Sequence, residues 1–246
     1  MTGYAVARTD LHRQLAAVHR ICARLDLHEA IDGHISMRLE DDKQMLVSPY
    51  PLHWSEVTAS SIPTLDLTNG DVVAGDYALD RPTWCVHSGL QRLHPRHRCF
   101  LHVHSPYATA ISCRKDGRLL PIHQHLIGLY NDIAYYDDYE GEVITEEYGE
   151  RLARAMGEKS IVFLANHGVV TGGLTPAKAF KRLYYLERAC KFQILAESGN
   201  ATLKFLEKSV VEAFSSEPDS EAWGHDDNFL AAWMRILDRE SPEYAS

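Results

Sequence analysis

Apolar residues near the start of the chain recur at three- and four-residue intervals, then at every second residue. That change of period separates helix from strand. "LHRQLAAVHRICARLDL" (Leu11–Leu27) has the first spacing and predicts an amphipathic helix. "HISMRLE" and "QMLVSP", on either side of the polar turn "DDK", predict two short strands. "TLDLTNGDVVAGD" predicts a hairpin through Asn69-Gly70. "TWCVHSGLQRLHP" predicts a helix stopped by Pro95, and "RCFLHVHS" a buried strand after it.

Downstream, "DIAYYD" predicts a strand and "TEEYGERLARAMGE" a helix with Thr145 as N-cap. "SIVFLANHGVVTGG" predicts two strands interrupted at Ala165-Asn166-His167-Gly168. "TPAKAFKRLYYLERACKFQILAESG" predicts a long helix that opens with Thr-Pro and closes at Gly199. A last helix is expected from about Ser220 to Asp238. Strands in the middle, with helices between them and at both ends, predict an α/β fold whose sheet is covered on its faces. No repeat or Gly/Ser linker divides the chain, so one domain over residues 1–246 is expected.

Composition narrows the function. The 246 residues are 45% hydrophobic and 24% charged, as in ordinary globular proteins. No apolar run approaches the roughly 18–20 residues of a membrane span, so no membrane partner is expected. "MTGYAVARTDLHRQLAAVH" lacks the apolar core of a signal peptide, and a cytoplasmic location is expected. A net charge of −9 argues against a nucleic-acid partner. The five cysteines are scattered and form no C-x-x-C pair, so they are expected to be reduced and mostly buried.

The 14 histidines are the compositional excess. His102 and His104 form an H-x-H pair on a predicted strand, where alternate side chains share a face. Two such imidazoles can bind one divalent ion at about 2.0–2.1 Å. On residues alone, two core histidines explain the pair as well. His167, at the break before Gly168, is the candidate third ligand. Three imidazoles plus an open position make a catalytic metal site. His123 and His125 form a second H-x-H, read as pocket lining or as ligands. His94 and His97, in "HPRH", are expected to be solvated.

"RCFLHVHSPYATAIS", together with "LANHGVVTGG", whose His167 lies 63 residues after His104, resembles the class II aldolase/adducin family. "DGHISMRL", "MLVSPYPLHWSEVTASSI", "LPIHQHLIGLYNDIAYYDDYEG" and "AFKRLYYLERACKFQ" extend the resemblance over roughly residues 10–200. Residues 201–246 would then be a C-terminal extension. The resemblance implies a three-layer α/β/α sandwich around a mainly antiparallel sheet and a homotetramer. It also implies one divalent metal per chain on the positions of His102, His104 and His167. Zinc is expected first, with Fe(II), Mn or Co as alternatives. Adducin-type members, which have lost these histidines, are structural proteins.

The chain departs from the sugar-phosphate aldolases at telling places. Their catalytic acid lies four residues before a helix histidine that matches His87, and Thr83 stands at that position. Their phosphate cradle becomes Gly33-His34, Tyr50-Pro51 and Arg81-Pro82-Thr83. Pro51 has no N–H to offer an oxyanion. A non-phosphorylated substrate is therefore expected, with His34, Tyr50, Arg81, Thr83, Trp84 and His125 as candidate contacts.

A His₃ metal can stabilise an enediolate, which suits aldol cleavage, decarboxylation or dehydration. The leading expectation is a lyase acting on a small oxo- or hydroxy-acid. An iron-dependent oxygenase on an aryl- or alkyl-keto acid and a non-catalytic adducin-like interaction protein are the alternatives. Tyr130, His87 and His123 are the candidate catalytic groups, with Tyr130 the first choice.

Overall fold

The computed structural model describes residues 8–141, 145–199, 202–215 and 225–246. Its strands are β1 (His34–Arg38), β2 (Gln44–Val47), β3 (Thr64–Asp66), β4 (Val72–Ala74), β5 (Cys99–Val103), β6 (Ile133–Tyr136), β7 (Ile161–Leu164) and β8 (Gly168–Gly173). They form one sheet in the order β4-β3-β2-β1-β5-β8-β7-β6. Among the described residues only the β6–β7 pairing is parallel, so the sheet is mainly antiparallel, as expected.

The period of two along each strand sends side chains into two separate cores. Cys99, Leu101 and Val103 of β5, with Ile161 and Phe163 of β7, join a core shared with α1 (Arg8–Arg24) and α6 (Pro176–Glu197). Phe100, Val162, Leu164 and Val170 point the other way, onto α2 (Arg81–Leu93) and α5 (Glu146–Met156). Three layers result. The α2–α5 contact is close because a glycine of each helix lies in it. A Cβ on Gly89 would come within 2.2 Å of the Gly149 carbonyl carbon.

The predicted strands and long helices are present. Thr175 caps α6 by accepting from Lys178 N–H, whereas Thr145 occupies the N-cap of α5 without a side-chain bond. The last helix, α8 (Asp226–Glu240), begins later than expected, and Ser220–Gly224 fall outside the described residues. Three short helices have no counterpart in the predicted elements: α3 (Pro106–Ser112), α4 (Gln124–Tyr130) and α7 (Lys208–Ser215). Helices of seven or eight residues, about two turns each, give periodicity little to register.

The solvated "HPRH" loop is a correction. His94 and His97 are each 2% exposed and stack with ring centroids 4.6 Å apart. His94 Nε2 meets the Lys159 carbonyl at 3.0 Å, and His97 Nε2 meets Ser160 Oγ at 2.9 Å. The segment entering β7 supplies polar partners that local sequence does not reveal, while Pro95 takes the solvent side. All five cysteines are free, and only Cys113 is exposed. Among the described residues, no helix is long and apolar enough to cross a membrane.

Candidate metal centre

β1 and β5 are antiparallel neighbours in which His34 stands opposite His102. Both side chains, and that of Ser36, lie on the face covered by α2, because Ile35, Leu101 and Val103 take the other. β5 ends one residue short of His104. His167 sits in the tight turn between β7 and β8, where Asn166 has φ +56°. Gly168 allows that turn to close over β5, since a Cβ there would lie 2.5 Å from the Val103 carbonyl oxygen.

The three histidines come together. Their ring centroids form a near-equilateral triangle with sides of 5.0, 4.8 and 4.8 Å. One ligating nitrogen from each lies within 4.8 Å of the others. His102 Nδ1 is 3.1 Å from the Val169 carbonyl oxygen, and His104 Nδ1 is 2.7 Å from Glu29 Oε2. A carbonyl and a carboxylate only accept, so both Nδ1 atoms carry protons. In neutral rings the two Nε2 atoms are then bare, yet they stand 3.2 Å apart. Two lone pairs facing each other repel unless a cation lies between them. Nitrogens bound at about 2.0–2.1 Å to one tetrahedral ion are roughly 3.3 Å apart, so the donor set fits a divalent metal.

Burial disfavours the charged form of His102 and of His167. It pushes His102 well below its ordinary value, with His34, His167 and His104 adding to the effect. His167 is lowered to about 4, again chiefly by burial and then by His104. His104 and His167 open onto a cleft of about 500 Å³ that Asp26, Glu29, Thr109 and Tyr139 also line. Among the lining residues none is Lys or Arg.

The other predicted site residues divide. His87 is fully buried in α2, its Nε2 2.8 Å from His34 Nδ1 and its Nδ1 2.5 Å from Ser36 Oγ. It stands behind His34, away from the cleft lining. Thr83 is buried one turn earlier and lines a small separate cavity with Tyr50, Asp80 and Gly33. Asp80 is the N-cap of α2, accepting from Thr83 N–H, and Arg81 opens the helix at its exposed end.

Trp84 is a correction. It is 4% exposed and packs with Met45, Val47, Leu65 and Leu67, as part of the core. Thr83, His87 and Gln91 recur every four residues on the helix face toward β1, and Trp84 lies about 100° around from them. His123 and His125 pack on α6 instead, with ring centroids 4.5 Å from Phe192 and 4.6 Å from Tyr185. Within one chain they are not among the cleft residues, and neither is Tyr130, which is 36% exposed at the end of α4.

Sequence reasoning missed Glu29, Asp26 and Tyr139. All lie in loops, where no period marks a face. It also missed Ser36 and Gln91, for which signals existed: H-x-S on one strand and four-residue spacing on α2.

The comparisons agree with this architecture. The model of the class II aldolase and adducin N-terminal domain matches residues 13–194. A provisionally named aldolase class 2 protein of Caulobacter vibrioides is 32% identical over 243 residues, 97% of this chain and 91% of the relative. Alpha-adducin of Mus musculus is 31% identical over 245 residues, 93% of this chain but 33% of that protein. The crystal structure of an aldolase II superfamily protein from Pseudomonas syringae superposes with a TM-score of 0.89 at 30% identity, covering 99% of this chain and 98% of the other. The chain belongs to the class II aldolase and adducin family.

Proposed function

We propose that this protein is a divalent-metal-dependent lyase acting on a small, non-phosphorylated oxo- or hydroxy-acid by aldol cleavage, decarboxylation or dehydration. Family membership supports a lyase at the coarse level. The observation that carries the reading is the 3.2 Å approach of the His102 and His104 Nε2 atoms, with His167 completing the triangle. His102, His104 and His167 would hold the ion, zinc first, with Fe(II), Mn or Co compatible with the same ligands. A bound divalent ion supplies a Lewis acid for adjacent substrate oxygens.

The chain's own groups do the rest. Glu29 and the Val169 carbonyl fix the two ring orientations. Asp26 and Glu29 make the cleft acidic, which disfavours a phosphate dianion and leaves a small acid to be held at the cation. Tyr139 stands in the cleft as a proton donor or acceptor. Tyr130 fits that role only if a neighbouring copy in a homo-oligomer, a tetramer by family expectation, delivers it.

The alpha-adducin match is the observation that favours a second reading, a non-catalytic interaction protein. The intact triad weighs against it. The test is to incubate the metal-loaded protein with a panel of 2-oxo and 2-hydroxy acids and identify products by NMR. Turnover that chelator abolishes and His167→Ala lacks is expected. Turnover of sugar phosphates alone, or of nothing in the panel, overturns the reading.

A further inference from the structure

Behind the triad runs a chain of buried polar groups: Gln91, Ser36, His87 and His34, exposed by 0%, 0%, 0% and 6%. Its hydrogens can be placed from one end. Gln91 Nε2 lies 2.9 Å from the Arg98 carbonyl oxygen, which only accepts, so that atom is the amide NH₂. The same nitrogen lies 2.7 Å from Ser36 Oγ and donates its second hydrogen there. Ser36 must then direct its own proton elsewhere. The remaining partner recorded for this hydroxyl is His87 Nδ1, 2.5 Å away.

If His87 Nδ1 were protonated, two donors would converge on Ser36 and its buried hydroxyl hydrogen would be orphaned, an arrangement buried groups avoid. His87 Nδ1 therefore accepts. As a neutral ring, His87 carries its proton on Nε2 and donates it across 2.8 Å to His34 Nδ1. His34 must then be protonated on Nε2. Its ring stands 4.9 Å from that of His102, centroid to centroid.

We infer that the buried chain Gln91–Ser36–His87 holds His34 as its Nε2–H tautomer, so that His34 presents a hydrogen-bond donor, and not a fourth ligand nitrogen, beside the His102–His104–His167 triad. The group it suits is an acceptor oxygen of the substrate, and most of all one gaining negative charge, because a fixed neutral donor needs no reorganisation as charge develops. Gln91, Ser36 and His87 are positioning residues that act through His34. The substrate part of this inference rests on the lyase reading; the tautomer does not.

The test is the tautomeric state of His34 in the full-length, metal-free protein, read by ¹⁵N NMR of histidine-labelled samples. The His34 signals are assigned by their loss in His34→Gln. Protonated Nε2 with bare Nδ1 is expected, and a protonated Nδ1 overturns the inference whether or not any lyase activity exists. Ser36→Ala should mix the two tautomers, and Ser36→Thr should restore one. Retention of the single Nε2–H form in Ser36→Ala overturns the positioning role. In cobalt-loaded protein, His34→Gln should leave the visible spectrum and stoichiometry unchanged, whereas a changed coordination spectrum makes His34 a ligand and overturns the inference.

Discussion

Glu29 Oε2 lies 2.7 Å from His104 Nδ1, so a carboxylate in the loop after α1 orients the ring whose Nε2 faces His102. Partners of this kind fix the ring and raise its basicity toward a metal. Glu29→Gln is expected to weaken metal affinity by roughly 10–100-fold without abolishing binding. Competition against a chromophoric chelator measures this. Unchanged affinity would show that the contact does not support the site.

Gly168 makes a separate demand. A Cβ there would lie 2.5 Å from the Val103 carbonyl oxygen and 2.9 Å from His104 Cδ2. Gly168→Ala should destabilise the fold by about 1–3 kcal/mol and displace His104. Thermal unfolding and metal titration should both fall. A variant with native values of both would place the β7–β8 turn farther from β5.

The α2–α5 layer depends on glycine in the same way. A Cβ on Gly89 would overlap Gly149, and one on Gly149 would lie 2.0 Å from the Cys85 carbonyl oxygen. Since α2 carries His87 and Gln91, Gly89→Ala should cost about 3 kcal/mol in urea unfolding and loosen the polar chain behind His34. A loss below about 0.5 kcal/mol, the range of ordinary surface changes, would contradict that packing.

Buried neutral histidine makes stability depend on pH. His19 is 1% exposed, bonded to the Leu15 carbonyl and Ser48 Oγ, and burial lowers it from 6.5 to about 4. Between those values the unfolded chain binds a proton that the native chain does not. The stabilising contribution is therefore complete above pH 6.5 and is lost as pH falls toward 4, at about 1.4 kcal/mol per unit and about 3 kcal/mol in all. Unfolding free energies measured at pH 7, 6, 5 and 4 should converge on those of His19→Gln as pH falls. Parallel curves would mean that His19 titrates normally.

Much of this architecture was legible because burial imposes period. Alternation in "RCFLHVHS" placed His102 on one face of β5 with Phe100, and "LANHGVV" marked the turn that returns His167 to it. The solvated reading of His94 and His97 failed because their partners, Lys159 and Ser160, lie more than 60 residues away. Trp84 is expected among the substrate contacts because an indole suits an apolar pocket, but the helix turns it onto β2 and β3 and into the core. Glu29 had no signal, since a loop carboxylate acquires its role only when the fold sets it beside His104.

The most direct measurement is the metal content, by elemental analysis, of wild-type protein and His102→Ala, both purified without chelator or added metal. One divalent ion per chain in the wild type, lost in the variant, is expected. No metal in the wild type, or full stoichiometry retained in His102→Ala, would contradict the assignment of the triad and the lyase built on it.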